Sequence, residues 1–302
     1  MAGGFRIGID LGGTKIEAAL LDPAGAMRDR RRIPTPIGDY DAEVAAVAGL
    51  VAAIEAKHGV RATVGVGIPG TISSHTGLVK NANSTWLIGR PLRRDITGAL
   101  GREVRFANDA NCFALSEAVD GAAAGAASVF GVIIGTGVGG GIVIDGRIVT
   151  GVNAVAGEWG HNPLPWARGA EWPGPSCYCG RSGCIESFLS GPALARDHGG
   201  SLTGPEIVAA AEQGDAAAGA TLDRYAERLA RALATVINLL DPEAIVLGGG
   251  LSRIAMLYER VPELWGRFVF SDRIATRLLP PRHGDSSGVR GAAWLWPPEP
   301  AG

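Results

Sequence analysis

A pattern of apolar strands joined by glycine turns occurs twice in this chain, about 125 residues apart. In the first copy, the apolar run of residues 6–10 meets the turn Gly12-Gly13-Thr14. In the second copy, the apolar run of residues 129–134 meets Gly135-Thr136-Gly137. Each turn is followed by a second strand, a tight turn and a third strand. A duplication of this kind predicts a two-lobed α/β fold with a nucleotide cleft between the lobes.

The remaining patterns fill out the two predicted lobes. We predict that residues 1–120 form the N-terminal lobe, which a C-terminal helix over 288–302 completes. Residues 121–287 form the C-terminal lobe, with the crossover at 121–127, and carry a segment over 158–186 that we call the cysteine loop. Apolar periodicity predicts helices over 41–58, 110–119 and 216–240, and strands over 63–68, 104–107, 141–144, 147–150 and 244–247.

Composition and charge exclude several classes of protein. The chain has 302 residues and a formal net charge of −2, which gives it no general attraction to nucleic acid or to anionic membranes. Its apolar stretches are interrupted by glycine or charge well short of the ~20 residues that span a bilayer. No targeting segment is visible before the first strand. We therefore expect a cytoplasmic protein without nucleic-acid or membrane partners, whose four cysteines are reduced.

Three glycine-rich turns are candidate phosphate-binding sites. Glycines let backbone N–H groups close on phosphate oxygens, and a threonine adds a hydroxyl donor. Each turn alone has an ordinary alternative as a hairpin or strand-to-helix turn, but the matching positions of the first two favour a clamp on ATP from both lobes. Asp10, at a strand end, is a candidate for holding Mg²⁺ through water. The predicted nucleotide-binding residues are Asp10, Gly12, Gly13, Thr14, Lys15, Gly135, Thr136, Gly137, Gly139, Gly140, Gly249 and Gly250.

Asn108 and Asp109 follow a predicted strand and are candidates for the chemistry. Phosphoryl transfer to an alcohol needs a carboxylate that accepts the alcohol proton while charge spreads over the phosphate oxygens. Asp109 can fill that role beside a cleft, and the amide of Asn108 can donate to and accept from hydroxyl groups. The alternative is that these residues cap the following helix, a position that Asp and Asn both favour.

The cysteine loop carries the most specific signal in the chain. One imidazole and three thiolates lie within 24 residues, which is a four-coordinate set for a structural Zn²⁺. The alternative is that the thiols are reduced and bind no metal. The predicted zinc ligands are His161, Cys177, Cys179 and Cys184. Cys112 stands alone in a predicted helix, and we interpret it as a small buried side chain.

Glu158 and Glu186 lie at the two ends of the cysteine loop. Side chains on a loop that a metal holds in place can hydrogen-bond a polyol with little loss of entropy. The alternative is that both are plain surface carboxylates. We predict that they bind the substrate.

These residues together resemble the ROK family of sugar kinases. The phosphate motif is similar to Asp10-x-Gly12-Gly13-Thr14, the catalytic motif to Asn108-Asp109 and the sugar motif to Glu158-x-Gly160-His161. The most specific mark is the cysteine motif, Cys177-x-Cys179-Gly180-x-x-Gly183-Cys184-x-Glu186. The resemblance covers essentially the whole chain.

The resemblance implies a duplicated actin-like (ribonuclease H-like) fold, ATP with Mg²⁺ as phosphate donor, and a homodimer. It implies that Asp109 is the general base, and that His161 contacts the sugar through one ring nitrogen and zinc through the other. The predicted sugar-binding residues are Gly70, Asn83, Thr85, Asn108, Asp109, Glu158, His161 and Glu186.

Two stretches, 80–86 and 283–296, resemble the bacterial fructokinases, also called mannofructokinases, within that family. This likeness implies phosphorylation of D-fructose at its C6 hydroxyl. The polar side chains of 81–86 suit a hydroxyl-rich sugar, and the bulky Trp86 would restrict an acetamide group.

Other functions remain open at this point. The same residues suit a kinase for mannose, glucose or an N-acetylhexosamine, and a sensor could bind sugar without turnover. A ROK repressor would carry a DNA-binding helix-turn-helix before the phosphate motif, and only nine residues precede Asp10 here. We therefore expect a kinase.

Overall fold

A computed structural model describes residues 4–297 of the chain. The first half of these residues forms a five-stranded sheet, a two-stranded ribbon and three helices. Their bounds are β1 (Arg6–Leu11), β2 (Lys15–Leu21), β3 (Met27–Pro34), α1 (Tyr40–His58), β4 (Thr63–Ile68), β5 (Thr71–Ile72), β6 (Val79–Lys80), α2 (Leu92–Leu100), β7 (Val104–Asn108) and α3 (Asp109–Val119).

The first sheet has the strand order β3-β2-β1-β4-β7. Strands β1, β2 and β3 form an antiparallel meander, whereas β1, β4 and β7 run parallel. In the parallel part, Asp10 lies opposite Gly67, and Ile68 lies opposite Asn108. Parallel strands end at the same edge of a sheet, and ligands of open α/β folds bind outside that edge. The register therefore brings Asp10 and Asn108 to one edge.

The second half of the described residues repeats this arrangement. Its sheet has the order β10-β9-β8-β11-β12, again an antiparallel meander beside parallel strands. The predicted duplicated two-lobed α/β fold is thereby confirmed. The elements are β8 (Ser128–Ile134), β9 (Val138–Ile144), β10 (Arg147–Ile148), α4 (Glu186–Leu189), α5 (Gly191–Asp197), α6 (Gly204–Glu212), α7 (Ala216–Leu240), β11 (Ala244–Gly248), α8 (Leu257–Trp265), β12 (Arg277–Leu279) and α9 (Ser287–Trp294).

Helices α3 and α9 lie between the two sheets. Helix α9 packs on the first sheet, α3 packs on the second, and the two helices pack on each other. They approach closely because Gly291 has no side chain, and a Cβ there would overlap the carbonyl oxygen of Cys112. Cys112 is fully buried, as the sequence predicted. The helix that begins at Asp109 is therefore held firmly from both sides.

Helix α7 builds much of the second lobe's core, through side chains such as Leu222 and Leu229. Its observed bounds, Ala216–Leu240, agree with the sequence prediction. Asp215 caps the helix by accepting hydrogen bonds from the N–H groups of Ala217 and Ala218. Although α7 has 25 residues, neither it nor any other helix within 4–297 is apolar enough to cross a membrane.

Three element boundaries differ from the sequence prediction by two residues or more. Helix α9 ends at Trp294, because Pro297 disfavours helical backbone at the residue before it, and residues 298–302 of the predicted helix lie outside the described residues. Strand β10 ends at Ile148 instead of residue 150. Strand β9 begins at Val138, so the glycines at 139–141 pair with β8 and are not part of the turn.

Candidate active site

Asn108 joins β7 to α3 at the carboxyl edge of the first sheet. Its side-chain oxygen accepts a hydrogen bond from Ala110 N at 2.9 Å, so Asn108 caps α3, while the predicted sugar contact of its amide group stays a prediction. Its amide nitrogen also donates to Gly70 O at 3.1 Å, which fixes the loop after β4. An amide nitrogen carries two hydrogens, and the second is chemically able to meet a substrate oxygen.

Asp10 and Asp109 both have raised pKa values, and the charge of Asp109 contributes to the shift at Asp10. Burial, and then the negative charges of Asp109 and Glu17, raise the pKa of Asp10 to about 6. Burial, and among nearby charges that of Glu158, raise the pKa of Asp109. Asp109 therefore takes up a proton more readily than an ordinary aspartate, as a general base for an alcohol requires. A divalent cation beside these carboxylates would relieve their repulsion.

The first glycine turn, Gly12 to Thr14, is held by bonds to its own backbone. Gly12 N donates to Lys15 O at 3.0 Å. Thr35 donates to both turn carbonyls, through its hydroxyl to Gly12 O at 2.6 Å and through its N–H to Thr14 O at 3.1 Å. Thr14 itself is exposed. Lys15 begins β2, and its charge lowers the pKa of Asp10 slightly against the larger effects of burial and Asp109.

The second glycine turn, Gly135 to Gly137, is held by the second lobe. Gly135 N donates to Gly137 O at 2.9 Å, and Gly191 N donates to Gly135 O at 2.7 Å. Glu186 Oε2 accepts from Val138 N at 2.8 Å, directly after the turn. Thr136 is exposed, like Thr14 in the first lobe. The structure therefore gives both predicted turns an exposed threonine hydroxyl.

Four predicted nucleotide-binding glycines lie outside the two glycine turns. Gly139 and Gly140 lie in β9, and a Cβ at Gly140 would come within 2.9 Å of Phe130 and of Gly157 O, so close packing accounts for this glycine. Gly249 has φ +81°, and a Cβ there would overlap Ile134 O, next to the second turn. Gly249 and Gly250 are exposed. The second turn itself is therefore Gly135–Gly137, and the nucleotide-binding roles predicted for Gly139, Gly140, Gly249 and Gly250 stay predictions.

The four predicted zinc ligands come together in the cysteine loop. Their ligand atoms all lie within 4.8 Å of one another. Cys177 Sγ is 3.6 Å from His161 Nδ1, and Cys179 Sγ is 3.7 Å from Cys184 Sγ. Thiolates about 2.3 Å from a tetrahedral Zn²⁺ are roughly 3.7 Å apart, so this donor set fits zinc.

Trp159 anchors the cysteine loop to the second sheet. Its indole nitrogen donates to Gly139 O at 3.0 Å, and its ring meets Phe130 edge to face at 5.5 Å. It begins a single 3-10 turn, Trp159–His161, which has exposed Glu158 on one side. The contacts of Trp159 therefore fix Glu158 and His161 relative to β9. The second glycine turn directly precedes the same strand.

Tyr178, which the sequence analysis did not single out, caps this group. Its hydroxyl is 3.0 Å from Nε2 of His161, the nitrogen that the resemblance assigned to the sugar. Although the ring is exposed, partial desolvation of the hydroxyl, and then the charges of Glu186, Cys177 and Glu158, raise the pKa of Tyr178 to about 12. These charges show that the phenol lies near both loop carboxylates.

A cavity of about 340 Å³ is lined by Asn108, one of the predicted sugar residues. Thr71, Asn108 and Asn111 line both this cavity and a smaller gap that reaches Glu158. The sequence analysis missed Thr71 and Asn111. One signal was available for Asn111, because it follows Asn108 by three residues and so shares a helix face with it.

The segment 81–86 reaches the cleft only in part. Asn83 and Thr85 are exposed, and Ser84 Oγ would lie 3.1 Å from a Cβ at Gly13, so the segment borders the first glycine turn. Trp86 points the other way, since its indole nitrogen donates to Glu43 Oε2 at 2.7 Å and its ring packs on the first lobe's core. The prediction that Trp86 restricts an acetamide group is therefore wrong.

Comparisons with known proteins decide the family. The model of the ROK family matches residues 6–299. The chain belongs to the ROK family. One curated relative, an N-acetyl-D-glucosamine kinase of Salmonella heidelberg (strain SL476), is 42% identical over 296 residues, which are 95% of this chain and 98% of the relative.

Two solved structures are similar to this ROK protein over nearly their whole length. A ROK hexokinase from Thermus thermophilus has 32% sequence identity and a TM-score of 0.84, covering 96% of each chain. A ROK family glucokinase from Streptomyces griseus, in complex with glucose and AMPPNP, has 29% identity and a TM-score of 0.76, covering 97% of this chain and 99% of that one.

These likenesses confirm the predicted actin-like fold and the predicted class, an ATP-dependent sugar kinase. They leave the predicted kinship with fructokinases unconfirmed, because the 42% identical relative is named for N-acetyl-D-glucosamine. The roles of the individual site residues stay predictions.

Proposed function

We propose that this ROK kinase transfers the γ-phosphate of ATP to the C6 hydroxyl of a hexose, with Asp109 as general base. The supporting observation is the position of Asp109 at the carboxyl edge of the first sheet, where burial and Glu158 raise its pKa. Each lobe also carries a glycine turn with an exposed threonine, and a clamp on ATP needs donors from both sides.

In this proposal the nucleotide binds against Gly12–Thr14 and Gly135–Gly137, with the adenosine end near Gly249. Asp10 would hold Mg²⁺, and that ion would neutralise phosphate charge. Asp109 accepts the proton of the sugar hydroxyl as its oxygen attacks the γ-phosphorus in line, and the bond to the bridging oxygen of ADP breaks. Positioning and charge neutralisation account for most of the acceleration, so no covalent enzyme intermediate is needed.

We propose that His161, Cys177, Cys179 and Cys184 hold a structural Zn²⁺. The close approach of the four ligand atoms supports this, and such a set leaves no open coordination position for chemistry. The ion would fix the loop that carries Glu158 and Glu186, and these carboxylates would bind sugar hydroxyls.

N-acetyl-D-glucosamine is the first candidate sugar. It is the sugar named for the 42% identical relative, and that likeness extends over 95% of this chain. The cavity of about 340 Å³ beside Thr71 and Asn111 supports it, because a C2 acetamide needs space beyond that of a plain hydroxyl.

D-fructose is the second candidate, and its product would be fructose 6-phosphate. It is favoured by the resemblance of 80–86 and 283–296 to bacterial fructokinases. Within the first stretch, the exposed Asn83 and Thr85 border the first glycine turn and can pair with hydroxyl groups.

A coupled assay of ADP release decides both the class and the sugar. The panel is N-acetyl-D-glucosamine, D-fructose, D-mannose, D-glucose and N-acetyl-D-mannosamine, each with the wild type and with Asp109→Asn as a blank. We expect N-acetyl-D-glucosamine to give the highest kcat/KM. Highest turnover of fructose would establish the second candidate instead, and absence of sugar-dependent ADP release with every sugar would overturn the kinase proposal.

We further propose that 1–120 with the C-terminal helix, and 121–287, move as two lobes around the sugar, and that the kinase is a cytoplasmic homodimer. The packing of α9 on the first sheet supports the first part of this proposal. Light scattering on the purified protein measures the oligomer, and small-angle scattering with and without sugar measures the closure.

A further inference from the structure

Tyr178 stands between two proposed zinc ligands, Cys177 and Cys179, and contacts a third. Its hydroxyl lies 3.0 Å from Nε2 of His161, and the two rings meet edge to face with their centroids 5.2 Å apart. Most of the residue is in solvent, with 83% of its surface exposed. The exposed ring of Tyr178 is therefore held by a hydrogen bond between its hydroxyl and His161, a residue of the sugar motif.

The direction of this hydrogen bond follows from the other nitrogen of the ring. His161 Nδ1 faces Cys177 Sγ at 3.6 Å, inside the proposed zinc cluster. An imidazole that binds a metal through Nδ1 keeps its proton on Nε2 and donates it to a neighbouring acceptor. Here that acceptor is the phenol oxygen of Tyr178. The phenol's own hydrogen then stays available for a different acceptor.

We propose that Tyr178 is a sugar-contacting residue, which accepts a hydrogen bond from His161 and donates its hydroxyl hydrogen to an oxygen of the bound sugar. This rests on the proposed function. The resemblance implied a direct contact between His161 and the sugar, but in this chain the phenol occupies that nitrogen. The phenol also lies near the charges of Glu186 and Glu158, the two carboxylates proposed to bind sugar hydroxyls.

The arrangement orients the donor before the sugar arrives. The hydrogen bond from His161 and the edge-to-face contact restrict the phenol ring, so less rotamer freedom is lost on binding. A site built to pair a hydroxyl discriminates strongly against analogues that lack it, because the donor is then left unpaired. Tyr178 would thus select for a sugar with an oxygen at one position.

Calorimetric titration of Tyr178→Phe tests the proposal, because this variant keeps the ring and removes only the hydroxyl. The probe is whichever of N-acetyl-D-glucosamine and D-fructose the wild type binds more tightly. We expect the dissociation constant and KM to rise about 3- to 10-fold, the usual weight of one neutral hydrogen bond, with kcat little changed. Zinc content should stay at the wild-type value.

Tyr40→Phe is the matched control, since Tyr40 OH donates to Asp95 at 2.7 Å on the first lobe, outside the site. It should leave sugar affinity unchanged. A set of monodeoxy sugar analogues would identify the contacted oxygen. The analogue that lacks this oxygen cannot accept the hydrogen bond from Tyr178, so it should bind the wild type and Tyr178→Phe with equal affinity.

Unchanged or tighter binding by Tyr178→Phe would overturn the proposal, because the sugar would then displace the phenol or never meet it. Loss of zinc from the variant would overturn it as well, since Tyr178 would then act through the metal cluster. Calorimetry does not need turnover. Sugar binding without phosphorylation would therefore reject the proposed function alone, while normal phosphorylation with unchanged binding in the variant would reject only the role of Tyr178.

Discussion

The two lobes supply their candidate site residues in different ways. In the first lobe, Asp10 lies near the end of the buried strand β1, and Asp109 begins α3 directly after the parallel strand β7. In the second lobe, Glu158 and His161 stand on the cysteine loop, whose described residues form short 3-10 turns and isolated bridges before α4. Core packing therefore shapes one half of the site, and a cluster of four metal-type ligands shapes the other.

This contrast assigns different consequences to changes in the two lobes. A change at a strand end should alter the chemistry or the stability of the whole fold, because those residues share its core. A change at a metal-type ligand of the cysteine loop should alter sugar binding and metal content while the core stays folded, because other loop side chains, such as Trp159 and Ile185, pack in that core.

The largest expected effect is at Asp109. Replacing it with asparagine keeps the shape and removes the proton acceptor, so kcat should fall by at least ~10²-fold while sugar affinity is retained. Asp145→Asn is the matched control, since Asp145 lies in an exposed turn at φ +48°, a conformation that asparagine also accepts. Steady-state assays measure both. Near wild-type turnover by Asp109→Asn would place the base elsewhere.

The next effect is at the metal cluster. Cys179→Ser should lose zinc by elemental analysis and raise the KM for sugar roughly 10-fold or more, since ligand loss frees Glu158 and Glu186. Far-ultraviolet circular dichroism should stay unchanged, because the loop has little regular structure. Cys112→Ala, in the buried helix α3, should keep its zinc. A variant that loses zinc and keeps its sugar affinity would contradict the role given to the loop.

Asp10→Asn should change stability in a pH-dependent manner. The pKa of Asp10 is raised to about 6 in the folded protein, against 3.8 for an ordinary aspartate. Between these two pH values the folded protein keeps a proton on Asp10 that the unfolded chain has released. Its charge therefore disfavours the fold above about pH 6, and this penalty disappears as the pH falls toward 4. Without nucleotide, the variant should be more stable than the wild type near pH 8, by on the order of 2 kcal/mol.

Thermal unfolding across that pH range tests this expectation. The two proteins should converge in acid, and Mg²⁺ with ATP should stabilise the wild type more than the variant. A stability difference that does not depend on pH would mean that Asp10 is not buried against Asp109 in solution.

The sequence predicted the elements that a local pattern specifies. Strand Thr63–Ile68 and helix Ala216–Leu240 were predicted with the bounds observed, because apolar periodicity marks them. Strand β9 was predicted too short, since a run of glycines resembles a turn. Its glycines are there for close packing against α3 and Trp159, which depends on residues distant in the chain.

The site residues also divide into those that the local sequence marks and those that depend on the folded structure. Motif residues such as Asp109 and Cys179 could be chosen from the sequence, because their chemistry is read from residue type and spacing. Thr71 and Tyr178 could not, since nothing local marks a threonine or tyrosine that faces a cavity or an imidazole. Trp86 was assigned to the wrong side, because sequence gives no direction for a side chain in a 3-10 turn.

The smallest expected effect on the sugar ranking comes from Trp86. Trp86→Phe keeps an aromatic ring on the first lobe's core and removes the hydrogen bond to Glu43, a carboxylate only 1% exposed. Burial raises the pKa of Glu43 although that bond lowers it, so losing the bond should favour a protonated Glu43 and cost about 1 kcal/mol of stability. The order of kcat/KM across the sugar panel should not change. Glu43→Gln is the matched variant, since it removes the charge and can still accept from the indole. If Trp86→Phe improved N-acetylhexosamine turnover relative to fructose, the indole would face the sugar in solution, and the first lobe would contribute to specificity through a loop as the second lobe does.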